Sequence, residues 1–152
     1  MKTLADVECR REICARVENV GPQTPRRWGR MNAAQMVCHL CDAFLAVMGE
    51  KPVQPVRGLN LWPLMKMWVL YAPFKWPAGV PTRPELDQTL GGTPPAEFAA
   101  DVRRLLAVIN AFTADPRGFA FRPHPMFGEM SEKDWMRWGY LHMDHHLSQF
   151  GV

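Results

Sequence analysis

The chain has 152 residues, enough for one domain and too few for two of ordinary size. Apolar residues make up 47% and charged residues 22%, which excludes global disorder. A net charge of +3, from 18 Lys and Arg against 15 Asp and Glu, is too weak a positive footprint for a nucleic-acid partner. No apolar run approaches the roughly 20 residues of a bilayer span, so no membrane partner is expected.

The start, Met1-Lys2-Thr3-Leu4-Ala5-Asp6, turns acidic without the apolar core of an export signal. The expected location is therefore cytoplasmic, with Cys9, Cys14, Cys38 and Cys41 reduced. Proline then divides the chain. All 14 prolines fall in 21–31, 52–95 and 115–130, which leaves four Pro-free stretches that read as helices, 4–19, 32–50, 96–114 and 131–150.

The first stretch has Thr3 with Asp6 as a box-like cap, and a weak stripe of Leu4, Val7, Ile13, Cys14 and Val17. The second begins at Asn32 with Gln35 as a capping box and ends near Gly49. Its stripe is Ala33, Met36, Val37, Leu40, Phe44, Val47 and Met48. The long connection from 50 to 95 carries a very apolar run, Leu61 to Tyr71, which predicts a short extra helix over about 62–71 packed on one end. Its flanks, Lys51–Gly58 and Pro73–Pro95, read as extended loops. Thr93-Pro94-Pro95 then supplies a cap and first-turn prolines for a helix striped by Phe98, Val102, Leu105, Ile109 and Phe112. Ser131, Glu132 and Asp134 open the last helix, and Gly151 follows it. No stretch alternates like a strand. The expectation is an all-α, up-down four-helix bundle whose long connection between the second and third bundle helices carries a short extra helix.

Chemistry concentrates in the five histidines, three of them within Tyr140-Leu141-His142-Met143-Asp144-His145-His146-Leu147-Ser148-Gln149-Phe150. At about 100° per residue, His142 and His146 lie within roughly 40° of each other and of Trp135, with Gln149 about 20° from His142. Imidazoles one turn apart can share one metal ion, and His39 is the only other histidine on an expected helix. The same pair also fits satisfied core imidazoles or cations complementing a helix C-terminus.

The segment from His142 to Gln149 resembles the last-helix signature of the DinB-like (YfiT-like) superfamily of metal-binding four-helix bundles: His, three residues, His, two residues, Gln. Met31 to Leu40 resembles its second helix, where a His-Leu pair follows a capped start. The likeness spans essentially the whole chain. It is greatest to a small, functionally uncharacterised branch with Arg-Trp-Gly-Arg-Met (Arg27–Met31) and His-Pro-Met-Phe-Gly (His124–Gly128). The resemblance implies His39, His142 and His146 as ligands of one divalent transition metal, with zinc, nickel, iron and manganese all tolerated. His145 and Gln149 would be neighbours.

Further candidates surround this set. Asp42, one turn past His39, is placed to orient an imidazole. Cys38 and Cys41 bracket His39 as Cys-His-Leu-Cys, either as small core residues or as thiols reaching a softer, zinc-preferring site. His124, held between prolines, is placed either on the surface or at the mouth of the site. Trp135 packs in the core or lines a pocket. Arg26, Arg27 and Arg30 are candidates to receive an anionic group.

The function implied by the resemblance is metal-dependent thiol S-transfer or thiol-dependent isomerisation, with a small-molecule thiol or other small molecule as partner. Metal-dependent hydrolysis, a structural metal, an apolar-ligand pocket and a homodimer built on the 61–71 face stand as alternatives. A site closed by four protein ligands would be structural, whereas one with an exchangeable position would be catalytic.

Overall fold

The computed structural model describes residues 1–54 and 62–152, apart from the side chains of 62–64. The expected extended path of Lys51–Gly58 beyond Gln54, and Leu61 of the apolar run, lie outside the described residues. Among the described residues five α-helices form: α1 (Val7–Glu18), α2 (Ala33–Met48), α3 (Trp62–Tyr71), α4 (Phe98–Phe112) and α5 (Glu132–Ser148). Among the described residues there is no strand, only an isolated bridge between His124 and Gly128. No described helix is long and apolar enough to cross a membrane.

Two caps form as the sequence predicts. Asn32 and Gln35 make a reciprocal capping box on α2, and Ser131 and Asp134 make one on α5. Gly49 ends α2 in the left-handed region at φ 85°, where a side chain would be strained.

Two other starts lie further along the chain than expected. α1 begins at Val7 because Asp6, not Thr3, caps it and accepts from the Cys9 amide at 2.9 Å. Leu4 precedes the helix, yet it is fully buried and its amide donates to the Met136 carbonyl at 3.0 Å, docking this lead-in on α5. Val7 is 48% exposed, so the α1 stripe is carried by Ile13 and Val17. α4 begins at Phe98 under Glu97, whose carboxylate accepts from the Ala99 and Ala100 amides. Thr93 lies before that cap and outside the helix, and its amide and hydroxyl donate to Asp42 instead. Inside the expected Pro73–Pro95 loop, Pro84–Leu86 forms a 3-10 turn.

Four helices close a ring in which α1 packs on α5 and α4, and α2 on α4 and α5. This arrangement is compatible with a four-helix bundle. α2 is buried on nearly every side, as its continuous apolar composition requires. At the centre, Phe44 meets Phe112 and Trp138 at ring distances of 4.7 and 5.5 Å. Gly139 lets this cluster close on α5, since a Cβ there would stand 2.7 Å from Leu4 Cδ1. α3 lies outside the ring against α5. Its Tyr71 hydroxyl donates to Asp134 at 2.6 Å, and Lys66 Nζ lies 3.3 Å from the same carboxylate. Burial opposes that carboxylate's charge, but hydrogen bonds from Tyr71, Ser131 and Lys66 outweigh it and hold Asp134 below the usual range.

Candidate metal centre

α2 presents His39, and α5 presents His142 and His146 one turn apart. Because α2 and α5 are neighbours in the ring, the three rings meet. His39 lies 5.3 Å from His142 and 4.6 Å from His146 between centroids, and the two α5 rings are 4.9 Å apart. One ring nitrogen from each lies within 4.8 Å of the others. His39 Nε2 and His142 Nε2 are 3.3 Å apart.

Hydrogen bonds on the far side of two rings fix which nitrogen faces inward. His39 Nδ1 lies 2.9 Å from the Leu86 carbonyl, and His146 Nδ1 lies 3.2 Å from Gln149 Oε1. A carbonyl oxygen only accepts, so both Nδ1 atoms donate and both Nε2 atoms keep a lone pair. Burial pushes all three imidazoles below their ordinary range. In His142 and His146 the neighbouring histidines add to this, whereas in His39 the Leu86 contact and nearby Asp42 and Asp87 act against it. The cluster is therefore neutral at pH 7.

Neutral imidazoles with converging lone pairs suit a borderline divalent ion. Two nitrogens bound at about 2.0–2.1 Å to one tetrahedral ion stand about 3.3–3.4 Å apart, the separation His39 and His142 already have. His142 Nδ1 is buried without a partner among the described residues. A metal on Nε2 would leave this Nδ1 as it is, so the third ring lacks the far-side hydrogen bond that orients the other two.

Asp42 does not touch His39. It is fully buried and accepts from the Thr93 amide and hydroxyl at 2.7 Å each and from Gln88 Nε2 at 3.3 Å, with Lys51 Nζ at 3.3 Å. These contacts pin the segment carrying Leu86 onto α2, so Asp42 acts on the imidazole through that segment. Cys38 and Cys41 face a tight crevice with Thr93, Asp101 and Arg104, and neither joins the histidine cluster. Burial pushes the Cys38 thiol up to about 12 and the Cys41 thiol up to about 11, so both stay protonated.

His124 is not at the mouth of the site. Its Nδ1 accepts from the Met126 and Phe127 amides at 3.1 and 3.2 Å, its ring stacks on Phe127 at 4.4 Å, and burial lowers it to about 3. Trp135 is 1% exposed and stacks on Phe121 at 5.3 Å, within the core. Arg27 donates to the Gly151 carbonyl at 3.3 Å, tying the segment before α2 to the end of α5. His145 lies edge-on to His146 at 5.2 Å and to Trp28 at 5.0 Å, beside the triad. Two parts of this arrangement carry no side-chain signal in the sequence. The Leu86 acceptor is a backbone carbonyl, and the wall formed by Trp76, 6.0 Å from His142, comes from the long connection.

The family described as "Protein of unknown function (DUF1569)" matches residues 14–151. No curated protein and no solved structure matches the chain.

Proposed function

The chain belongs to the DUF1569 family, and from that premise we propose that it holds one divalent transition metal on His39, His142 and His146 and uses it in thiol transfer. The observation that carries the reading is the 3.3 Å approach of two Nε2 atoms, one of them oriented by a backbone carbonyl. The DinB-like likeness of the His-x-x-x-His-x-x-Gln segment supports it and suggests a place for the family among those bundles. Zinc, nickel, iron and manganese all suit the donor set.

Bound there, the ion would supply Lewis-acid charge favouring a thiolate over a thiol. The protein's own part is orientation and exclusion of water. Leu86 and Gln149 hold two rings in the donor tautomer, and Trp138, 4.9 Å from His142, shields the triad. Three protein ligands leave room for a small-molecule thiol, as a catalytic site requires. His145, lowered by burial and so neutral at pH 7, is placed beside the triad to accept the thiol proton. The four free cysteines accord with a reducing, cytoplasmic setting.

The test is metal content by mass spectrometry on untagged protein, beside His39→Ala and His146→Ala. About one transition metal per chain, lost in both variants, is the expected result. A folded wild-type chain without metal, or full retention in both variants, would overturn the reading. Thiol transfer to an electrophilic acceptor is then assayed with the loaded protein.

A further inference from the structure

On the outer side of α5, next to the triad, a cleft of about 280 Å³ opens between α5 and the turn that follows α3. This volume is at the small end of ligand cavities, about 300–1,000 Å³, so its occupant is a small molecule and not a polymer. Three aromatic rings form its sides: Trp28, Phe74 and Trp76. Phe74 is 64% exposed and Trp28 is partly exposed, an arrangement more costly in water than in contact with a ligand.

The polar groups have one sign to spare. Asp144 lines the cleft, but its carboxylate is taken by Arg16 Nη1 at 2.7 Å. Arg137 uses Nε on the Leu70 carbonyl at 3.0 Å and Nη1 on the Lys2 carbonyl at 2.6 Å. Among the described residues neither its Nη2 nor the Lys75 ammonium has a partner, and both residues line the cleft. Two unspent cationic donors between flat apolar walls match an anion carried on a flat body.

We infer that this cleft binds a small aromatic acid, its ring among Trp28, Phe74 and Trp76 and its acidic group toward Lys75 and Arg137. His145 connects cleft and triad, since it lines the first and lies 5.2 Å from His146 of the second. The site stands independently of the metal, because none of its binding contacts passes through the three ligand histidines.

The probe is naphthoate, titrated by calorimetry into the purified full chain, with uncharged naphthamide as its isostere. One saturable site is expected, with naphthoate at least about tenfold tighter than naphthamide. Lys75→Glu, a surface change that leaves folding intact, is expected to weaken naphthoate about fivefold or more, and Trp28→Ala by a similar factor. Leu90→Ala serves as control, since Leu90 is 72% exposed and does not line the cleft. Absence of saturable binding, equal affinity for the amide, or an equal loss in Leu90→Ala would refute the inference. His146→Ala separates this proposal from the metal reading: naphthoate binding retained while metal is lost keeps the cleft, whatever the fate of the triad.

Discussion

The Leu86 carbonyl accepts the Nδ1–H of His39 at 2.9 Å, across 47 residues of sequence. One backbone oxygen therefore decides which imidazole nitrogen faces the other two histidines. Leu86 sits in a short 3-10 turn that could not hold its place alone. Asp42 anchors the segment behind it, one helical turn past His39, through Thr93, Gln88 and Lys51. Metal-site geometry and the long connection are thereby coupled through one buried carboxylate.

Asp42→Asn should disturb both. The amide would turn an N–H₂ toward donors that now meet a carboxylate, at a cost of about 2–3 kcal/mol in stability. Zinc affinity should fall about tenfold or more, because the Leu86 carbonyl is no longer held against His39. Denaturant unfolding and competition with a chelating dye measure the two effects. Unchanged zinc affinity in the folded variant would show that Asp42 serves the fold alone.

Gln149 can be tested at its side chain alone. Its amide N–H and carbonyl are used in the backbone, toward His146 and Arg27, and substitution leaves these in place. Gln149→Met keeps the buried volume but removes the acceptor for His146 Nδ1. Metal affinity should drop about 10–100-fold, and the metal-free chain should lose about 1–3 kcal/mol because the buried His146 Nδ1–H is left without an acceptor. Gln149→Glu restores an acceptor and should recover affinity, since a carboxylate raises the basicity of the ring it accepts from. A Met variant that binds like the parent would remove Gln149 from the site.

These two residues also mark how far the sequence could be read. Helix boundaries were legible where a side chain caps its own turn, as at Asn32–Gln35 and Ser131–Asp134. They were misplaced at Thr93, which precedes the actual cap Glu97 and is held by Asp42, a partner 51 residues away. The His142/His146 pair follows from local spacing, whereas its meeting with His39 depends on α2 and α5 being neighbours. The segment that orients His39 reads as plain loop in the sequence because a carbonyl acceptor leaves no trace in residue type. His124 looked exposed by its proline neighbours, yet its ring substitutes for a backbone acceptor in a turn and is drawn inward.

Gly139 is a test of the packing. Mid-helix, Gly→Ala normally gains about 1 kcal/mol from propensity. Here the new methyl would meet Leu4 Cδ1 at 2.7 Å, Phe44 at 3.3 Å and Phe112 at 3.4 Å. Overpacking of that kind costs about 1–3 kcal/mol, so the net effect should be a loss of up to about 2 kcal/mol. Leu4→Ala vacates the nearest clash, and the double variant should be less destabilised than the sum of the singles. Strict additivity, measured by urea unfolding, would mean that Leu4 and Gly139 do not share this space.

Acid should destabilise the fold through its buried histidines. An unfolded histidine takes its proton near 6.5, whereas burial lowers folded His124 to about 3. Below about 6.5 the unfolded chain therefore binds the extra proton. Stability conferred by the neutral His124 is complete above that pH and falls toward pH 3, by about 1.4 kcal/mol per pH unit. His39, His142 and His146 are lowered too, so in metal-free buffer the slope for the whole chain should exceed one proton. His124→Asn places an amide oxygen where Nδ1 accepts from Met126 and Phe127 and removes the titration. The variant should lose about 1 kcal/mol at neutral pH with the Phe127 stacking, and its slope between about pH 6 and 5 should fall by about one proton. Urea unfolding at those pH values and at about 7.5 measures both terms, and an unchanged slope would place the His124 proton uptake in the folded state.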